Sequence, residues 1–374
     1  MKKVLLKGYY GTSNAGDDLL LMKVLETIPA NCRITVLGNP DKFESFGEKF
    51  PNAHFEEAGS TRTRVGKCAR HDALVLGGGG LFPNRRGSVG QYAELITALL
   101  LGKRIVVAGI GINPQKGTIE RCLWNLIAKR AAFFSVRDRA SMTLFEDGKG
   151  NSPVCDGEDL LLGGFPSQSS PAPERMPRSN YALFVPAWFP GILSGEDGDK
   201  RLGQLVSEFA SAMEAAVEAG LEPVVMSFYP KDDDLVLQGI AERCPRACLL
   251  RYQADFTAEQ IGSMVGGARL CVCMRFHAFV AAVLAGKPAV AVAYDHKFTS
   301  LVTALGCDIP VLEYGISEEV CFGVRKDLPL GALAAATKEL LKRPDNVGGD
   351  PYPQLPKMAA VASHIHKRVA DALR

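Results

Sequence analysis

The chain has no apolar run of the ~18–20 residues that a bilayer-spanning helix needs. It has almost no net charge either, with 43 Lys and Arg against 41 Asp and Glu. The first absence argues against a membrane span, and the second removes the bulk attraction on which a nucleic-acid partner depends. The opening Met1-Lys-Lys-Val-Leu-Leu-Lys-Gly8 holds an apolar stretch too short for a secretory signal, so the expected location is the cytoplasm. No G-x-G-x-x-G fingerprint follows the first strand. Gly11-x4-Gly16 has the glycine spacing of a P-loop, but Asp17 stands where a lysine would meet the phosphates of a nucleoside triphosphate. Cys244 and Cys248 form the only close pair that resembles a metal site, and no second pair or nearby histidine completes a four-ligand set. Cys32, Cys155, Cys271 and Cys273 lie in apolar contexts and read as small buried hydrophobes of a reduced, cytosolic protein.

What is present is a globular composition, 47% hydrophobic and 22% charged over 374 residues. That length predicts two domains of roughly 150–200 residues each. Short apolar runs alternate with longer periodic segments, the pattern of α/β architecture with parallel sheets. In the first half, strands are predicted at Val4–Leu6, Ile34–Leu37, Ala73–Leu76, Ile105–Ala108 and Phe133–Val136. Helices are predicted at Asp17–Ile28, Gln91–Leu101, Ile119–Ala131 and Arg139–Glu146. A Pro-, Gly- and Ser-rich stretch from Gly163 to Pro177 marks a linker. The alternation then restarts, with strands at Tyr181–Val185, Pro223–Phe228, Leu270–Met274 and Ala289–Ala293. Helices accompany them at Leu202–Ala219, Leu235–Arg243, Ala258–Val265 and His277–Leu284, and a final helix runs over about Met358–Leu373. The expectation is an α/β protein of two Rossmann-like domains, residues 1–170 and 171–350, facing across a cleft, with a C-terminal helix in 351–374. Ligands of such sheets bind beyond the carboxyl ends of the strands.

Five segments lie at such ends. In Leu270–Ala285 every residue is apolar except Arg275 and His277. A buried arginine cannot readily lose its proton, so it needs a ligand anion, an internal carboxylate or an opening to solvent. A ligand anion explains most of this pattern. Asp295, His296 and Lys297 follow the next strand, and Arg137 continues the strand that ends at Val136. Taken together, Arg137, Arg275, His277 and Lys297 suggest a pocket for a small, multiply charged anion. Near the N-terminus, Gly8-Tyr-Tyr-Gly-Thr-Ser-Asn14-Ala-Gly-Asp17 joins strand to helix. Asn14 or Asp17 can cap that helix, and Asn14, flanked by glycines, is the better placed to reach a ligand. Gly77, Gly78, Gly79 and Gly80 form a run that is costly in conformational entropy. It makes sense where backbone approaches a ligand closely or aims several N–H groups at an anion, and also as a tight turn under a helix. Arg85 and Arg86 follow it, as ligand contacts or as solvated surface.

Gly8–Asp17, Gly77–Phe82, Ser135-Val-Arg-Asp-Arg-Ala-Ser141, Met274-Arg-Phe-His-Ala278 and Tyr294-Asp-His-Lys297 together resemble the polysaccharide pyruvyl transferase family, above all the bacterial cell-wall pyruvyl transferases. The resemblance implies a GT-B-like fold. It also implies transfer of the enolpyruvyl unit of phosphoenolpyruvate onto two hydroxyls of a sugar as a cyclic ketal, with phosphate released. The sugar would belong to a cell-envelope polysaccharide, or to a lipid-linked or nucleotide-linked precursor. A lipid-linked acceptor would bring the protein to the inner membrane face. By the resemblance, His277 is the general acid/base, and Arg137, Arg275 and Lys297 hold phosphoenolpyruvate. Asn14, Gly78, Gly79, Gly80 and His296 line the cleft, and no metal or other cofactor is implied. The family pattern commonly has proline before the lysine, so His296 is a second candidate for proton transfer. The alternatives are a GT-B glycosyltransferase with a nucleotide-sugar donor and a non-catalytic binder of anionic glycans. Glu313 is the only weak counterpart of the acidic residue that such a glycosyltransferase places on the donor ribose.

Overall fold

The computed structural model describes residues 1–82, 92–112, 118–145, 154–166, 170–189, 198–314, 328–342 and 351–374. The loop carrying Arg85 and Arg86 lies outside the described residues. Contacts divide the chain into two compact units. The first comprises Met1–Thr12, Asp17–Pro166 and Lys357–Arg374, and the second Ser13–Gly16 and Ser167–Pro356.

In the first part of the chain β1 (Lys2–Lys7), α1 (Ala15–Thr27), β2 (Cys32–Leu37), α2 (Glu44–Lys49), β3 (Ala53–Glu56) and α3 (Thr61–Arg70) lead to β4 (Ala73–Phe82). There follow α4 (Ala93–Leu100), β5 (Arg104–Ile112), α5 (Thr118–Arg130), β6 (Phe133–Val136), α6 (Arg139–Met142) and β7 (Cys155–Asp156). The described strands form a parallel sheet in the order β3-β2-β1-β4-β5-β6-β7. β5 and β6 are buried on both faces almost throughout, which is why their sequences read as continuous apolar runs. Trp124 of α5 is fully buried, with its ring meeting Tyr92 and Phe134 edge-on at 6.0 and 5.9 Å. β3 and α3 are not visible to apolar periodicity. β3 is a four-residue edge strand in which polar and apolar residues alternate, and α3 opens Thr-Arg-Thr-Arg.

The second unit repeats the plan with β8 (Tyr181–Val185), α7 (Gly198–Glu218), β9 (Glu222–Ser227), α8 (Pro230–Arg243), β10 (Cys248–Arg251) and α9 (Ile261–Gly266). Its remaining elements are β11 (Leu270–Cys273), α10 (Phe276–Leu284), β12 (Ala289–Ala293), α11 (His296–Leu305), β13 (Val311–Glu313) and α12 (Ala332–Lys342). The sheet is again parallel, in the order β10-β9-β8-β11-β12-β13. Strand order reverses between β1 and β4 in one sheet and between β8 and β11 in the other. These are the switch points at which Rossmann-like sheets bind ligands.

The last helix, α13 (Leu355–Leu373), groups with the first unit from Lys357 onward. Lys2 Nζ donates to the carbonyls of Leu373 and Arg374 at 2.7 and 2.9 Å, and the Arg368 guanidinium lies 5.2 Å from the centre of the Phe133 ring. Gly157 has to be glycine, since a Cβ there would stand 2.6 Å from the Val136 carbonyl oxygen and 2.7 Å from Ile365 Cδ1.

His366 of α13 lies against Gly163, and burial, aided by nearby Lys23, lowers its pKa to about 4. A histidine with a depressed folded-state pKa favours the folded state fully only above its unfolded value of 6.5, and that contribution is lost as pH falls toward 4. Wild type should therefore lose about 1–2 kcal/mol more stability than His366→Gln between pH 7.5 and pH 5, read from urea midpoints at the two pH values. Equal losses in the two proteins would remove His366 as the cause.

Candidate functional site

In the first unit Tyr10, just past the end of β1, is tied to the middle of β4, where its buried hydroxyl donates to the Gly77 carbonyl. Its ring fills the space that side chains at Gly8 and Gly77 would need; a Cβ at Gly8 would be 2.1 Å from the ring. Burial, reinforced by Asp17 and Asp18, raises the phenol pKa well above 10. Gly78 and Gly79 have φ of 59° and 80°, a backbone region that disfavours side chains. A Cβ at Gly78 would stand 3.1 Å from Leu20, so α1 rests on this stretch of backbone. Close approach to a helix therefore accounts for Gly77 and Gly78. Gly79 is in register with Ile110 of β5, while Gly80 is exposed and nearest to Arg137.

Arg137 follows β6 and lies across Gly111, where a Cβ would be 2.8 Å from its Nε. Its guanidinium is 3.4 Å from Asp138 and 4.0 Å from Asp159. Asp138 also caps α6, accepting from the Ser141 N–H at 2.7 Å.

The second unit gathers the other sequence-identified residues at the ends of the adjacent strands β11 and β12. Arg275 is the N-cap of α10 and only 7% exposed. The carboxylate that meets it is internal: Asp233, fully buried in the first turn of α8, accepts from Arg275 Nε at 3.1 Å and from Nη2. Asp233 also accepts the backbone N–H groups of Trp188 at 3.1 Å and Tyr229 at 2.9 Å. Burial raises the Asp233 pKa, opposed by Arg275 and the two N–H groups. Burial works against the Arg275 charge, and the Asp233 carboxylate more than offsets it, so its pKa is raised. The guanidinium lies 4.6 Å from the Phe189 ring centre and 5.5 Å from that of Tyr229.

Tyr294 continues this layer, 4.2 Å from Phe189 between ring centres. Its hydroxyl accepts from Lys297 Nζ at 2.9 Å, and the ammonium sits over the Tyr294 and Phe276 rings at 4.7 and 5.5 Å. Asp295 caps α11 through the Lys297 N–H, and its carboxylate is 3.6 Å from Lys297 Nζ and 3.0 Å from His296 Nδ1. Burial opposes its charge, but Lys297 and His296 hold it far below the ordinary carboxylate range.

His277, half-buried in the first turn of α10, lies over the backbone of Gly16. A Cβ at Gly16 would stand 2.3 Å from its Nδ1. Gly16 belongs to the short segment Ser13–Gly16 that groups with the second unit, and there the Ala15 N–H donates to the Phe228 carbonyl at 2.9 Å. Asn14 spends its Oδ1 on the Gly16 N–H at 3.1 Å, so it is the helix cap.

The structure thus brings Arg275, His277, His296 and Lys297 together at one end of one sheet and places Arg137 in the other unit. Sequence reading missed Asp233, Tyr10 and the aromatic residues Phe189, Tyr229 and Tyr294. A signal for Asp233 exists in the Asp232-Asp-Asp234 run directly after a strand, where sites of this fold lie. Among the described residues no group of three or more His, Cys, Asp or Glu side chains is placed to hold a metal ion, and no helix is long and apolar enough to cross a membrane.

Two parallel Rossmann-like sheets define a GT-B-like protein, and solved structures share that architecture. UDP-GlcNAc 2-epimerase from Neisseria meningitidis, bound to UDP-GlcNAc, is 12% identical with a TM-score of 0.57, over 100% of this chain and 99% of that one. S. aureus MnaA with UDP is 11% identical (TM-score 0.58, 100% and 91% of the two chains), and Anabaena HepE with UDP and glucose is 14% identical (TM-score 0.55, 100% and 97%). At these identities the likeness is one of fold. Residues 14–296 match the polysaccharide pyruvyl transferase family, and the chain belongs to it. The amylovoran biosynthesis protein AmsJ of Erwinia amylovora is 24% identical over 253 residues, which are 64% of this chain and 61% of AmsJ. The chain thus covers less than two thirds of that relative.

Removing one partner of a buried ion pair strands the other. Asp233→Ala should cost about 3–5 kcal/mol, with much of the loss recovered in Asp233→Ala/Arg275→Met. Denaturant melts of the single and double variants measure this, and simple additivity would mean that the pair is not energetically coupled.

Proposed function

We propose that the protein moves the enolpyruvyl group of phosphoenolpyruvate onto two hydroxyls of one sugar in a cell-envelope polysaccharide or its lipid-linked precursor, forming a pyruvate ketal and releasing phosphate. Membership of the pyruvyl transferase family gives the class of reaction. The observation that carries the finer reading is the cationic end of the second sheet. There two helix N-termini, those of α10 and α11, emerge from adjacent strands beside Arg275, His277 and Lys297. Helix N-termini favour anions, and a donor with one carboxylate and one phosphate needs several such groups.

In this reading the second unit takes phosphoenolpyruvate and the first takes the acceptor, with no further cofactor. Lys297 and Arg275 Nη1, which Asp233 does not use, meet the donor's oxyanions. His277 gives a proton to the methylene carbon, which leaves C2 electron-poor. A sugar hydroxyl adds at C2 and loses its proton, the C2–O bond to phosphate breaks, and the second hydroxyl closes the ring with loss of its own proton. Histidine is suited to both proton transfers near neutral pH. The UDP carried by the solved neighbours favours a nucleotide-linked sugar as the alternative acceptor.

The test is phosphate release from phosphoenolpyruvate by the purified protein. Release should require a sugar acceptor, and mass spectrometry should find the pyruvyl ketal on it. Turnover supported by a UDP-sugar donor without phosphoenolpyruvate would replace this reading with glycosyl transfer. His277→Ala should lower turnover by about 10²–10⁴-fold while phosphoenolpyruvate still binds. Near-full activity in His277→Ala, with loss in His296→Ala, would pass the proton role to His296. Arg275→Lys keeps a charge for Asp233 but loses the planar fork, and should weaken phosphoenolpyruvate binding. Arg137→Met decides whether Arg137 serves the donor or the acceptor, by which of the two KM values rises.

A further inference from the structure

At the opposite end of the first sheet from Tyr10 and the glycine run, a cavity of about 140 Å³ opens among the starts of β1 and β2, the edge strand β3 and the end of α3. Lys3, Arg33 and Arg70 line it. All three are exposed, and among the described residues their side chains make no hydrogen bond or ion pair. Lys3 and Arg33 are register partners on neighbouring strands, and like charges facing each other across strands repel. The floor is polar: Thr35, 7% exposed, bonds His71 Nε2 through its hydroxyl at 3.0 Å. His71 Nδ1 lies 2.6 Å from the Lys67 carbonyl, which can only accept, so Nδ1 carries a proton. The lining carboxylate, Glu56, is already matched by Lys67 at 2.7 Å and faces His54 at 3.8 Å. Nearby Asp72 takes the backbone N–H of Lys3 at 2.8 Å. Positive charge therefore exceeds negative in this cavity.

We infer that this cavity is a second anion site, for a phosphoryl or diphosphoryl group, separate from the proposed reaction centre. Its volume of about 140 Å³ is room enough for such a group. Two arginines and a lysine supply bidentate and point-charge contacts suited to phosphoryl oxygens, and a bound anion relieves the Lys3–Arg33 repulsion. Lys3 and Arg33 stand four residues, roughly 13 Å of strand, before Lys7 and so away from the Tyr10–Gly77 end of the same sheet. Such a group could be free in solution or be the headgroup of a lipid.

The full chain has six histidines, so the imidazole resonances of His54 and His71 can be assigned by single substitutions and followed by NMR. Adding pyrophosphate at constant ionic strength should shift both resonances saturably, with a Kd near or below ~1 mM, and Arg33→Gln/Arg70→Gln should weaken this at least about tenfold. The same double variant is tested against vesicles of phosphatidylcholine with and without phosphatidic acid. Variant-sensitive binding to the phosphatidic acid vesicles alone assigns the group to a lipid headgroup; a pyrophosphate response without vesicle binding assigns it to a soluble ligand. Absence of both a saturable shift and variant-sensitive vesicle binding overturns the site. These readouts do not involve turnover, so they stand or fall independently of the pyruvyl transfer reading.

Discussion

The second unit is organised around a single carboxylate. Asp233 holds Trp188 after β8, Tyr229 at the turn into α8, and Arg275 at the turn from β11 into α10. Three strand ends flanking a topological switch point therefore share one buried acceptor. An arginine at the N-cap faces the positive end of its own helix, a placement that electrostatics disfavours. The buried carboxylate reverses that balance, and His277, two residues further on, takes its position from the helix so fixed.

The same logic governs the neighbouring strand. Lys297 also stands in the first turn of a helix, and Asp295 supplies both the cap and the counter-charge. Each of these cations is positioned by protein partners and aromatic faces. Groups held this way need little reorganisation when charge arrives, which is the condition under which fixed electrostatics is most effective. The aromatic layer of Phe189, Tyr229 and Tyr294 also limits solvent around the guanidinium, which strengthens each electrostatic contact there.

How much of this was legible in the sequence depended on burial. β2, β5, β6, β8, β9, β11 and β12 are buried on most or all of their residues and so appear as apolar runs. β3, β7, β10 and β13 are short or only half-buried, and a strand of two to four residues with one solvated side carries too few positions for a pattern. Arg275 and His277 stood out because their surroundings are otherwise apolar. Their partners did not, because ion pairing between positions 42 residues apart leaves no mark in local spacing. The charge at Arg275 called for a ligand anion, an internal carboxylate or an opening to solvent; the sequence favoured the ligand, and the structure shows an internal carboxylate, Asp233, meeting it. The glycine run was likewise ambiguous: only the positions of Tyr10 and Leu20 reveal that part of it serves helix packing.

The return of α13 to the first unit also bears on how the protein is made. Residues 167–356 form a continuous body lacking only the Ser13–Gly16 segment, whereas the first unit is assembled from pieces on both sides of that stretch. During synthesis the chain for the second sheet emerges complete while the first sheet still lacks the helix that covers Phe133 and Gly157. Domains usually consolidate in the order in which they leave the ribosome. Here the unit that begins first is the last whose residues are all available.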